Sequence, residues 1–179
     1  MAEEDAASSD FPGDYVERTV LPGETDYADA AWQLKERIRR REGALDQRRS
    51  SFLALYRRGR DYLTFAVTDE GSGSADPDDP DPNDLVGFAV VRRDGYLSLL
   101  GVAPERRRSG VGSRLLERAF ADHDGLTCHA KRTNRRALAF YADRGFHVVG
   151  RLERYYHDGT DAYRLARDPD RTGGPDRSP

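Results

Sequence analysis

The run Arg107-Arg108-Ser109-Gly110-Val111-Gly112-Ser113-Arg114-Leu115-Leu116 constrains the fold more than any other stretch, because it sets a glycine-rich turn between an apolar strand and an amphipathic helix. Upstream, Gly95-Tyr96-Leu97-Ser98-Leu99-Leu100-Gly101-Val102 reads as a buried strand, and Ala103-Pro104-Glu105-Arg106 turns the chain away from it. Downstream, Leu115, Leu116, Ala119 and Phe120 recur at helical spacing and give one apolar face. Gly110 and Gly112 lack side chains, so consecutive backbone N–H groups can close on phosphate oxygens at the positive end of the new helix, as a pyrophosphate cradle would. A plain structural helix start has the same spacing. The Gly-x-x-x-x-Gly-Lys-Ser/Thr pattern of a nucleotide P-loop is missing, as are the third glycine and later acidic residue of a dinucleotide fold.

Leu126-Thr127-Cys128-His129-Ala130 reads as another strand. Thr133-Asn134 then opens a helix that carries Ala137, Leu138, Phe140 and Tyr141 and ends at Gly145, and Phe146-His147-Val148-Val149 starts a further strand. In this order the two blocks resemble the GNAT acetyltransferase family, which carries Arg/Gln-x-x-Gly-x-Gly/Ala after its fourth strand and Asn-x7-Tyr-x3-Gly-Phe further on. Here the second pattern runs from Asn134 through Tyr141 to Gly145-Phe146, with the Asn–Tyr spacing one residue shorter than that shorthand. The resemblance extends from roughly Tyr15 to Leu165, and its diagnostic part is Leu99 to Phe146. It implies acetyl-CoA as acetyl donor and direct transfer to an amine.

The segment Arg154-Tyr155-Tyr156-His157-Asp158-Gly159-Thr160-Asp161-Ala162-Tyr163 is in turn similar to a hairpin of protein N-terminal acetyltransferases, including the ribosomal-protein alanine type and its archaeal relatives. In those enzymes the hairpin covers the peptide's entry, which makes Tyr155 and Tyr156 acceptor-binding candidates. Asp158-Gly159 is also a tight-turn signal in its own right, and tyrosines are common in strands.

The 179 residues suit one domain with a single core. Positive and negative charges nearly cancel, 29 against 32, so bulk charge does not point to a nucleic-acid partner. Lys35 and Lys131 are the only lysines, and aspartate outnumbers glutamate about two to one, a bias that resembles proteins of salt-loving archaea. Cys128 is alone, which leaves no disulfide framework and no cysteine-rich metal site. The acidic start and the absence of a long apolar run suggest a cytoplasmic protein without a membrane partner.

Residues 1–13 and 168–179 are polar and lack apolar periodicity, and are expected to be disordered tails flanking a domain at 14–167. A first strand is expected at Val16 to Val20, a helix from Asp26 to Glu42 with Tyr27, Ala30, Ala31, Leu34 and Ile38 inward, and a second helix from Leu45 to Arg57 ending near Gly59. Tyr62–Val67 and Leu85–Val91 should form a hairpin whose connection, 68–84, is too rich in Asp, Pro, Gly and Ser to fold. Calcium binding by its carboxylates is the sharper reading, which the alternating prolines oppose. The element order gives an α/β sandwich with a mixed, mostly antiparallel sheet flanked by helices.

Acetyl transfer needs a held thioester, a neutral amine, a donor for the developing oxyanion and an acid for the leaving thiolate. The cradle Arg107, Arg108, Ser109, Gly110, Val111, Gly112 and Ser113 would bind the pyrophosphate, mainly through its backbone. As the resemblance implies, the strand end Leu100, Gly101 and Val102 would splay from the next strand and pair with the pantetheine amides. Asn134 caps its helix and, in the family, also contacts the cofactor. Tyr141 is the candidate acid, its ordinary pKa of about 10 suiting a thiolate of about 8 to 9. As a lone residue it would read as core packing at the end of an amphipathic helix, and it is the spacing from Asn134 that favours the functional role. The resemblance also makes His129 the candidate base, with a partly buried strand histidine as the alternative, and Tyr96 a second candidate tyrosine. His123 and His147 have no comparable case. The run Arg37-Ile38-Arg39-Arg40-Arg41 reads as a solvated face or as a docking surface for acidic partners. The peptide-gripping motif of N-terminal acetyltransferases is not matched between the first two helices.

The expected activity is therefore acetyl transfer to a protein or peptide N-terminus, by a monomer or homodimer. Lysine or small-molecule amine acetylation, and a noncatalytic acyl-CoA-binding module, are the alternatives.

Overall fold

Every residue from Leu85 to Val91 is buried, and the molecule is organised around this strand. The computed structural model describes residues 15–20, 25–45, 47–57, 62–69 and 84–168, with the backbone alone at 16, 25–26, 56–57 and 62–69. The elements run β1 (Tyr15–Val20), α1 (Thr25–Glu42), α2 (Arg49–Arg57), β2 (Tyr62–Asp69), β3 (Leu85–Arg92) and β4 (Leu97–Val102). A single 3-10 turn at Pro104–Arg106 leads to α3 (Val111–Ala121), then β5 (Leu126–Lys131), α4 (Arg135–Ala142), β6 (His147–Leu152) and β7 (Ala162–Arg167). This is the expected order.

Two antiparallel sheets result, one in the order β1-β2-β3-β4 and the other β5-β7-β6. They meet at one parallel bridge, Tyr96 with Thr127, where Thr127 N–H donates to the Gly95 carbonyl at 2.9 Å. Beyond that bridge no ladder joins β4 to β5 among the described residues, so the two strands part towards their C-terminal ends. This is the splay expected at Leu100–Val102. Successive residues of β3 show how the layers form. A Cβ on Gly87 would meet Val111 and Leu115 of α3, whereas Phe88 turns the other way and packs edge-on against Phe52 of α2, ring centroids 5.7 Å apart. Helices α1 and α2 therefore cover one face and α3 the other, because adjacent strand residues point to opposite sides.

Helix α1 buries Tyr27, Ala31, Leu34 and Ile38, the stripe its periodicity announces. It also buries Lys35 completely. That Nζ donates to the Gln47 carbonyl at 2.6 Å and to Glu36 at 2.9 Å, and it lies 4.4 Å from the centre of the Trp32 ring. The buried amine is thus paired, and it fastens the α1–α2 connection to α1. His123, at the end of α3, bridges two backbone carbonyls, with Nδ1 2.7 Å from Ala119 O and Nε2 3.0 Å from Arg92 O.

Two boundaries differ from expectation. Helix α2 begins at Arg49 rather than Leu45, because Gly43 (φ 63°) and Leu45 (φ 60°) take left-handed conformations that cannot continue a helix. Thr68 and Asp69 belong to β2, paired with Val16 and Tyr15, instead of to the acidic connection. The rest of that connection, 70–83, lies outside the described residues, as do the N-terminal tail, residues 169–179 and the expected α2 end near Gly59. Among the described residues, no helix is long and apolar enough to cross a membrane.

Candidate active site

The glycine turn forms as its composition requires. Gly110 sits at φ 88° as the N-cap of α3, with nothing within 4 Å of where a Cβ would stand, so backbone conformation and not crowding demands glycine there. The first helical bond runs from Arg114 N–H to the Gly110 carbonyl at 3.0 Å, which leaves the N–H groups of Val111, Gly112 and Ser113 without an intrahelical acceptor. Polar side chains around the turn are engaged elsewhere. Arg107 is clamped on Glu42 at the end of α1 (Nη2 to Oε2 2.7 Å), Ser109 donates to the Arg106 carbonyl at 2.5 Å, and Ser113 accepts from Arg144 Nε at 3.1 Å. An anion at this helix end would therefore meet chiefly main-chain N–H groups. Arg108, at φ 62°, is exposed and extends the turn.

The edge of β4 adds a second backbone surface. Ala103 N–H donates to Val86 at 2.7 Å, so strand alternation points the amides of Leu100 and Val102 away from β3, into the gap before β5. Gly101 faces the core instead. A Cβ there would lie 2.7 Å from the Phe88 ring and 3.2 Å from Ile38. The bent, open edge together with the helix terminus fits an extended ligand that carries amides and a pyrophosphate. Asn134 caps α4, its side chain accepting from Ala137 N–H at 3.1 Å, and so has the structural half of its expected role.

Tyr141 is buried on α4 and its phenol lies against the Cys128 thiol of β5. Burial, reinforced by Cys128, holds its pKa well above the ordinary tyrosine value, and the neighbouring Cys128 thiol is pushed up to about 12 by its own burial. Tyr141 in the free protein therefore does not have the unperturbed phenol pKa on which its expected acid role rests. The phenol stays protonated and is suited to hydrogen-bond donation rather than full proton release.

A cluster of side chains gathers near the end of the gap where β4 and β5 meet, since Tyr96 itself forms the bridge to Thr127. His129 Nδ1 lies 3.1 Å from the Tyr96 hydroxyl and 3.1 Å from the Tyr155 hydroxyl, with both rings edge-on to the imidazole. Burial, and then the charge of Arg164 on β7, lower the His129 pKa, so it is a neutral base at physiological pH. Burial likewise raises Tyr96, and it pushes Tyr156 up to about 12. Tyr155 and Tyr156 stand in the connection between β6 and β7 rather than in strands, ring centroids 5.2 Å apart. That connection is held by Asp161, which accepts from Arg154 N–H at 2.9 Å and Arg151 Nε at 2.8 Å, and by an ion pair between Lys131 and Asp158. Asp158-Gly159 makes its turn inside this loop, with Gly159 at φ 76°.

Sequence reasoning missed Glu42, Arg144, Asp161, Cys128 as the partner of Tyr141, and the pairing of Tyr155 with His129. Asp161 had a signal as part of the hairpin resemblance, and the last pair had one because both residues were singled out separately.

Residues 63–148 match the model of the acetyltransferase (GNAT) domain. Human N-alpha-acetyltransferase 30 is 38% identical over 78 residues, covering 41% of this chain and 22% of the human protein. The peptidyl-lysine N-acetyltransferase YjaB of Salmonella typhimurium is 34% identical over 73 residues, covering 41% of this chain and 50% of that protein. The ribosomal-protein-S18-alanine N-acetyltransferase of Escherichia coli shares the fold, with a TM-score of 0.66 at 22% identity over 91% of this chain and 100% of that one. These alignments span between about a fifth and a half of the length of the curated relatives. The chain carries an acetyltransferase domain of the GNAT family.

Proposed function

We propose that the protein is an acetyl-CoA-dependent N-acetyltransferase whose acceptor is the α-amine of a protein N-terminus. The observation that carries this reading is the cluster of His129, Tyr96 and Tyr155 at the bridged end of β4, on the same strand pair whose other end opens beside the amides of Leu100 and Val102. Acetyl-CoA, when bound, supplies an acetyl group activated as a thioester. The N–H groups of Val111, Gly112 and Ser113 would hold its pyrophosphate, and the amides of Leu100 and Val102 would align its pantetheine arm and polarise the carbonyl. His129 would take the proton released as the amine nitrogen bonds to the carbonyl carbon and the C–S bond breaks. Tyr141 would donate a hydrogen bond to the leaving sulfur. Tyr155 and Tyr156 would line the peptide's approach.

The likeness to human N-alpha-acetyltransferase 30 favours the N-terminal acceptor, and the likeness to a peptidyl-lysine enzyme favours a lysine side chain as second reading. Intact-mass measurement decides between them. With acetyl-CoA supplied, in high potassium chloride, peptides with free N-termini should gain acetyl groups while N-terminally blocked, lysine-containing peptides and polyamines should not. The reverse pattern would establish the second reading, and no transfer despite acetyl-CoA binding would indicate a binding module.

A further inference from the structure

An imidazole nitrogen that carries no proton has one in-plane lone pair and accepts one good hydrogen bond. Two hydroxyls compete for that place at His129 Nδ1, each at 3.1 Å, and they are not equivalent. Tyr96 comes from the start of β4, is half-buried, and is tied into the sheet by the backbone bridge to Thr127. Tyr155 comes from the β6–β7 connection and is 49% exposed, among the most exposed large apolar side chains described. The two phenols also interact with each other. From β7, Arg164 is the charged group that faces His129, and the strand neighbour Cys128 points to the opposite, buried side. The base thus carries a fixed hydroxyl partner and a loose one.

We propose that Tyr155 is a displaceable cap on His129: in the free protein its hydroxyl donates to Nδ1, and it must yield that position to the acceptor amine or to the water that relays its proton. Tyr155 is then a positioning residue, with the Tyr96 hydroxyl left to hold the imidazole in place when the cap moves. The proton of neutral His129 sits on Nε2. Donation to a neutral imidazole favours the neutral form, so the cap keeps His129 deprotonated and shielded until an acceptor arrives. This rests on the acceptor-side reading above, and its test has a readout that needs no turnover.

Nitrogen-15 NMR of histidine-labelled full-length protein, without ligand, reads tautomer and titration for His129, identified by its loss in His129→Gln. Wild type should show Nε2 protonated. Tyr155→Phe, which keeps the ring, should raise the His129 pKa by about half a unit, less than the full worth of a neutral hydrogen bond because the Tyr96 hydroxyl takes over part of the donation. The other three histidines should titrate as before. A free-N-terminal peptide added with desulfo-CoA should raise it likewise in wild type and not in Tyr155→Phe. A proton on Nδ1, a fall in pKa, or no change overturns the cap. In turnover, the acidic limb of kcat/KM should move up by the same amount in Tyr155→Phe. A raised acceptor KM with the limb unmoved would make Tyr155 an ordinary peptide contact and also overturn it. The NMR shift without acetyl transfer to any amine would sustain the cap and sink the proposed activity, so the two readings fail separately.

Discussion

On the proposed reading, the donor wall and the acceptor wall of the site are made of different material. The donor wall is main chain: one contiguous stretch from Leu100 to Ser113 supplies strand amides and helix N–H groups, while the side chains of Arg107, Ser109 and Ser113 are engaged by Glu42, the Arg106 carbonyl and Arg144. The acceptor wall is side chain: Tyr96, His129 and Tyr155 come from three segments, and their polar atoms converge within 3.1 Å. Main-chain recognition needs only the correct backbone path and tolerates side-chain change. Side-chain recognition depends on every participant. The donor wall should therefore be vulnerable to altered backbone, and the acceptor wall to altered chemistry.

The largest effect should come at Tyr141. On the proposed mechanism Tyr141→Phe removes the donor to the leaving sulfur while keeping the ring packed, and kcat should fall about 10²- to 10³-fold. Acetyl-CoA affinity by calorimetry should stay within about threefold, since the donor wall is intact; lost affinity would mean that Tyr141 shapes that wall. Next, His129→Gln should lower kcat/KM about 10²-fold near neutral pH. In wild type, activity should rise as pH rises through the His129 titration and level off above it. Because burial and Arg164 hold that pKa below its ordinary value, the plateau should already be reached near neutrality, and the acidic limb should vanish in His129→Gln.

Gly101→Ala tests the donor wall through its backbone. The new methyl would press on the Phe88 ring and Ile38, both buried, so strand β4 should be displaced at a cost of about 1–3 kcal/mol in thermal or urea unfolding, with acetyl-CoA binding weakened as well. Unchanged unfolding would show that the core gives way locally. The smallest effect is expected from Asp161→Asn, which weakens the ties to Arg151 and the Arg154 amide at the loop that carries Tyr155. Acceptor KM should rise about two- to threefold while the acetyl-CoA KM holds, a size typical of an exposed polar contact. Equal changes in both constants would erase the distinction between the walls.

The same contrast governs what could be read from the chain before its structure. The donor wall was legible because its determinants are local: Gly110 needs its positive φ, Val111 starts the helix, and Asn134 caps the next one within three residues. The layers were legible for the same reason, from the stripe of Tyr27, Ala31, Leu34 and Ile38. The acceptor wall was legible as a set of residues and not as a geometry, because Tyr96 and Tyr155 reach His129 across 33 and 26 positions of sequence. Glu42 and Arg107 are still further apart, at 65 positions, and no spacing pattern joins them. The late start of α2 escaped notice because a leucine in a left-handed conformation leaves no compositional mark.

Lys35 has a consequence beyond holding the α1–α2 connection. Lys35 and Lys131 are the chain's only lysines; the first is fully buried and the second is engaged by Asp158. If the protein handles a reactive thioester as proposed, it is thereby left almost without accessible side-chain amines of its own. Spontaneous acylation, which requires an exposed and unprotonated amine, finds few places to attack, and the donor is spared for the intended acceptor.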